Sequence, residues 1–217
     1  MATSTRTFLQ MQTSVKLKLG NKANIENQLD LQINRAMSQF VYEIKPQETW
    51  VTGTFNTVAD QHIYSFVTDL TNDDIYALKA VRDTTTPAEI QRGGIADFYR
   101  HRRSNTGKPR KWTRYGNNLI LYSLVPDGVY AVEYLYVAAP APMVADADIF
   151  PLNEEWEQPV EELAAALLWS DLNEPSHAAA KMQNYRDLLI NRDKPEALED
   201  EVGEASIWPV HNTYDRR

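Results

Sequence analysis

The chain has 217 residues, 43% of them hydrophobic and 10% aromatic, which suffices for a buried core in one domain or one domain with an extension. It contains no cysteine, which excludes disulfides, thiolate nucleophiles and cysteine metal sites. The net charge of −8 is uneven: Asp146 to Glu204 carries sixteen acids against four bases, and the rest is mildly basic. Such an acidic stretch reads either as a solvated helix face with a tail or as a surface that repels nucleic acid or meets a basic partner. Residues Met1 to Arg6 lack the apolar core of a signal peptide, and the run Leu163 to Trp169 is far shorter than the roughly 20 residues of a membrane helix. The expectation is a soluble protein made and assembled in a cytoplasm.

In chain order, Phe8, Met11, Val15 and Leu19 recur at helical spacing, with Ser4 or Thr5 as candidate caps and Gly20 at the end. Asn24 is a candidate cap for a second helix whose stripe is Ile25, Leu29, Ile33, Met37, Phe40, Val41 and Ile44, stopped by Pro46. Two helices with a short link predict an antiparallel hairpin. From Trp50 to Tyr136 the period changes to two. Strands are predicted over 50–55, 62–67, 75–83, 111–115, 118–122 and 129–136, with Gly116-Asn117 as a tight hairpin turn and Pro126-Asp127-Gly128 as another turn. Residues 84–105, with Gly93-Gly94, read as a long projecting loop. Ala139 to Pro142 is a stiff linker. A turn at Glu154 to Trp156 precedes a helix with Pro159 at its first position and Val160, Leu163, Ala164, Leu167 and Leu168 as its stripe. Asn173 to Pro175 breaks it, and a last helix carries Ala178, Met182, Tyr185 and Leu189. Beyond Arg192 periodicity stops.

The expected fold is α+β. A helical bundle from 1–46 and 150–192 carries an inserted antiparallel β-sandwich or small barrel over 47–142, followed by an extended tail over 193–217. The tail cannot bury enough surface to fold alone, yet it holds Ile207, Trp208, Pro209, Val210 and Tyr214, an apolar group suited to ordering on a partner.

No catalytic arrangement emerges. His62, His101, His177 and His211 stand far apart without metal-ligand spacing, no nucleophile elbow occurs, and Gly107-Lys108 does not make a phosphate loop. No catalytic residue, metal or cofactor is expected. Acid pairs such as Asp73-Asp74 and Glu154-Glu155 suit turns and first helical turns. Glu154 or Glu155 would serve a peptidoglycan-cleaving enzyme only if folding paired two carboxylates across a cleft. One cluster carries chemistry: Arg100, Arg102, Arg103, Lys108, Arg110, Lys111 and Arg114, with Phe98, Tyr99, Trp112 and Tyr115 interleaved. It suits a nucleic-acid-binding module, because cations neutralise phosphates and aromatic rings stack on bases. In an acidic chain with no nucleic-acid motif, the preferred reading is a sheet edge whose charges are solvated or pair with an acidic neighbouring subunit.

Several short phrases stand in a fixed order: Ile33-Asn34-Arg35-Ala36, Leu78 with Val81, Thr106-Gly107-Lys108-Pro109, Leu119 with Leu121, Pro126-Asp127-Gly128 with Tyr130, Tyr134 with Tyr136, and Glu155-Trp156 before an alanine-rich helix. Together they resemble the head-to-tail adaptor proteins of tailed bacteriophages, including the tail accessory factors of short-tailed phages. The resemblance covers residues 5 to 192. It implies a non-enzymatic virion protein at the head–tail interface, acting as a ring of twelve copies docked on the portal protein. Such a ring extends the channel through which packaged DNA passes without sequence-specific binding, and it gives the tail or nozzle protein a platform. It also implies a C-terminal segment reaching into clefts between portal subunits, no membrane partner, and assembly in the host cytoplasm.

Overall fold

The computed structural model describes residues 3–190 apart from 23, 24, 73, 87 and 101–104. The predicted cap Asn24 and the predicted tail over 193–217 lie outside the described residues. The architecture is α+β, with five α-helices among the described residues and a curled seven-stranded mixed sheet. The described residues divide into two compact units, and the second is inserted in the first: it runs from Trp50 to Ala138, and the first comprises the described residues up to Thr49 and from Ala139 to Ile190.

In the first unit, α1 (Phe8–Lys18) is capped by Thr7, whose hydroxyl accepts from Gln10 N while the Gln10 side chain accepts from Thr7 N. This reciprocal box satisfies two orphan donors. The cap falls two residues after Thr5, and the Ser4 hydroxyl, the other candidate, donates to Glu157 at 2.5 Å. Gly20 adopts φ +66, the left-handed residue that ends α1. In α2 (Glu26–Ile44) the predicted stripe from Ile25 through Val41 is buried, and Lys45 turns left-handed immediately before Pro46. After a 3-10 turn at Glu154–Trp156, α4 (Glu157–Asp171) places Pro159 third rather than first. That position is still in the opening turn, where a backbone N–H has no helical partner to lose. Proline takes the first position in α5 (Pro175–Ile190) instead, after Asn173 at φ +57. Helix α4 is packed by α1, α2 and α5, so it is buried around most of its circumference. The connection from Ala139 is pinned to α2 by Asn34, which accepts from Met143 N at 2.8 Å and donates to Met143 O at 2.9 Å.

The second unit contains β1 (Trp50–Asn56), β2 (Ile63–Ser65), β3 (Ile75–Asp83), β4 (Ala88–Arg92), α3 (Ile95–Arg100), β5 (Lys111–Tyr115), β6 (Asn118–Tyr122) and β7 (Ala131–Ala138). The order is β1-β7-β3-β4-β5-β6-β2, so β1 and β2 are the edges of an open, curled sheet. The expectation of a wholly antiparallel sandwich or barrel is corrected at one place: β4 and β5 run parallel. They do so because the intervening segment, with α3, crosses back before β5 begins. The predicted loop over 84–105 therefore contains a strand and a helix. Strand β4 escapes pattern reading because only Ile90 of its five residues is buried, so no alternation is visible. The β5–β6 hairpin turns at Gly116-Asn117, with Gly116 at φ +57, as a two-residue turn with glycine first requires.

Period-two alternation builds a core on each face. Tyr64, Phe66, Val81, Trp112, Leu119, Leu121 and Val132 fill one, and Ile120, Tyr122 and Phe98 of α3 fill the other. Gly53 faces Tyr134 across β1 and β7, and a Cβ there would lie 2.3 Å from the tyrosine ring. Gly53→Ala is expected to force the ring aside and destabilise the β unit by about 1–3 kcal/mol. A thermal melt followed through near-UV tyrosine signals would show this loss; an unchanged melt would contradict the packing.

Candidate functional site

Lys108 and Arg110 of the basic segment singled out in the sequence border a cleft of about 550 Å³, with Asp83, Glu89, Ile90 and Leu124 among its other lining residues. Asp83 ends β3 and is 1% exposed. Its carboxylate pairs with Lys108 and accepts from Thr85 N at 2.7 Å and Thr86 N at 3.4 Å. Burial alone would push this carboxyl up, but Lys108 and the two amides together hold it below the usual carboxylate range.

The neighbouring bases are also engaged within the chain. Lys111 meets Asp97 of α3 at 2.7 Å, and the Tyr122 hydroxyl donates to the same carboxylate at 3.2 Å. Burial, reinforced by Asp97, pushes the Tyr122 phenol up to about 12. Arg114 donates to the carbonyls of Tyr76 at 2.5 Å, Ile75 at 3.1 Å and Gly116 at 3.1 Å, and its guanidinium lies over Phe66 at 5.0 Å. Arg100 and Arg110 are exposed. Arg102, Arg103 and His101 lie outside the described residues, as do Asp73, His211, Ile207, Trp208, Pro209, Val210 and Tyr214.

The interleaved aromatics divide similarly. Trp112 and Phe98 are buried in the two cores, and Tyr99 and Tyr115 are exposed. The segment therefore does not present an unbroken comb of cations and rings. For Lys108 and Lys111, this chain itself supplies acidic partners, from β3 and α3. Glu154 is exposed on its 3-10 turn and Glu155 is half-buried beside it, and neither borders the cleft. Among the described residues no group of His, Asp and Glu gathers in a way that could hold a metal ion. None of their helices is long and apolar enough to cross a membrane.

A family model described as SU10 adaptor protein matches residues 6–205, spanning both units. The chain belongs to this family of phage head-to-tail adaptors. Comparison with curated proteins gives no match. Membership makes the chain a phage structural adaptor and implies a virion component that meets portal and tail proteins.

The adaptor's helical unit holds a second polar feature that sequence reading missed. Glu161 and Glu162 of α4 are 3% and 5% exposed, so this part of the acidic stretch is neither a solvated face nor reserved for a basic partner. Arg6 reaches Glu157 at 3.3 Å and Glu161 at 2.6 Å. Lys18 of α1 contacts Glu161 at 3.5 Å and pairs with Glu162, which Lys181 of α5 meets at 3.2 Å. Burial alone would raise the Glu162 carboxyl, and the two lysines bring it below its ordinary value. The available signal was a run of glutamates inside an alanine- and leucine-rich helix, since carboxylates are almost never buried without partners. The network ties the N-terminal arm, α1 and α5 to one helix, which stiffens the adaptor's helical unit.

Proposed function

We propose that this chain forms the adaptor ring between portal and tail: twelve copies dock on the portal protein, extend the DNA channel and carry the tail or nozzle protein. The family match over residues 6–205 is the observation that carries this reading. The internal pairing of Lys108, Lys111 and Arg114 supports a passive role toward DNA, because cations already paired with carboxylates or carbonyls release few counterions from phosphates. The ion network on α4 supports a rigid wedge, as a structural spacer requires. In this reading Ile207, Trp208, Pro209, Val210 and Tyr214 supply a hydrophobic anchor that orders in a portal cleft. Assembly takes place in the host cytoplasm, without cofactor or catalysis. Electron microscopy of purified portal rings mixed with the protein is expected to show an added ring layer; bare portal rings would refute the proposal.

A further inference from the structure

The two edges of the curled sheet are finished differently. On β2, His62 O accepts from Leu121 N at 2.8 Å and Phe66 N donates to Asn117 O at 3.0 Å. Residues 62, 64 and 66 therefore face β6, and Ile63 and Ser65 turn their backbone groups outward. Side chains cap that edge: Gln61 Nε2 donates to Ile63 O at 3.0 Å, and Ser65 N donates to an Asp69 carboxylate oxygen at 2.7 Å.

At Thr52, Thr54 and Asn56, strand β1 has no such finish among the described residues. Thr57 N donates to Tyr130 O at 2.9 Å just beyond the strand, so by alternation Phe55, Gly53 and Val51 face β7. Thr52, Thr54 and Asn56 then direct their N–H and C=O groups away from the sheet. All three are exposed, and no described residue bonds to these groups. Natural edges are blunted by charged side chains, proline, bulges or short length. The seven residues Trp50–Asn56 contain no charge and no proline, and their pairing with β7 runs without a bulge.

We propose that β1 is an intermolecular pairing edge and that its occupant is β1 of a second copy, joined antiparallel about Gly53. The strand is its own complement in that register. Thr52 falls opposite Thr54, Trp50 opposite Asn56 and Val51 opposite Phe55, so every outward residue meets an outward residue. Threonine pairs are favourable across antiparallel strands, and no like charges meet because the strand has none. Head-to-tail joining of β1 to β2 is blocked by the Gln61 and Asp69 caps. The contact is two-fold and closes at two copies. It is a property of the free protein and goes beyond the ring proposed above, which concerns copies docked on a portal; each stands or falls by its own measurement.

The test is sedimentation equilibrium of the full chain, alone, over rising concentration. The wild type is expected to form a reversible dimer. Thr54→Pro removes an outward N–H and leaves the β7 ladder intact, and it is expected to weaken the dimer at least tenfold. Amide hydrogen exchange on the wild type gives an independent reading, with Thr52 and Thr54 exchanging more slowly at high concentration. A single-chain mass throughout would overturn the proposal, as would association unchanged in a folded Thr54→Pro variant. Exchange at Thr52 and Thr54 that is independent of concentration would also overturn it, whether or not the proline variant folds.

Discussion

Phe40→Ala is expected to destabilise the helical unit by about 3–5 kcal/mol, the range for truncating a buried phenylalanine. Phe40 is fully buried on α2, and its ring meets that of Trp156 at 5.1 Å between centroids, tilted by 49°. Trp156 closes the 3-10 turn that opens α4, and α2 is among the helices packed on α4. The substitution therefore leaves a void where the chain enters the helix that organises the unit. Nearly all helical residues belong to this unit, so circular dichroism at 222 nm under denaturant reports on it directly. A midpoint shift below about 1 kcal/mol would mean that the site collapses around the void and that Phe40 is not a packing centre.

Glu162→Gln is expected to destabilise the same unit by about 3 kcal/mol. Breaking a buried ion pair by removing one partner typically loses about 3–5 kcal/mol. The lower end applies because Lys18 and Lys181 are 20% and 23% exposed, and Lys18 retains Glu161. The pH dependence has a definite sign. Glu162 titrates lower in the folded chain than unfolded, so its contribution is complete above the unfolded value of about 4.3 and fades as pH falls through the lower folded value. Wild type should therefore lose stability more steeply than Glu162→Gln below about pH 4. Equal slopes in acid would show that Glu162 is not charged and paired in the fold.

Both substitutions disturb the packing around α4, from α2 in one case and from α4 itself in the other, and they differ in how far the sequence reveals them. Phe40 stands on a stripe with helical spacing, so its burial is readable in advance. The helix stop at Pro46 and the turn at Gly116-Asn117 were readable because each is a local constraint on the backbone, whereas the left-handed Lys45 was not foreseen. The partners of Glu162 come from residues more than a hundred positions away in one case and from the following helix in the other. No local pattern encodes that meeting. Strand β4 was hidden because a single buried isoleucine makes no period.

The basic segment shows the same division. Its composition is plain in the sequence, but its chemistry depends on where the sheet places Asp83 and Asp97. Asp83 is brought to Lys108 by the end of β3, and Asp97 is carried to Lys111 by a short helix inside what reads as a loop. Of the family phrases, Thr106–Pro109 and Pro126–Gly128 lie between strands, where backbone needs restrict residue choice, and the others lie within α2, β3, β6 and β7 or on the turn before α4.

The central claim is that the protein works by joining larger assemblies. Its most direct test is the native mass of the protein mixed with its portal. The account predicts one discrete species that exceeds the portal ring by twelve chain masses. A mixture in which portal ring and adaptor stay separate would contradict it.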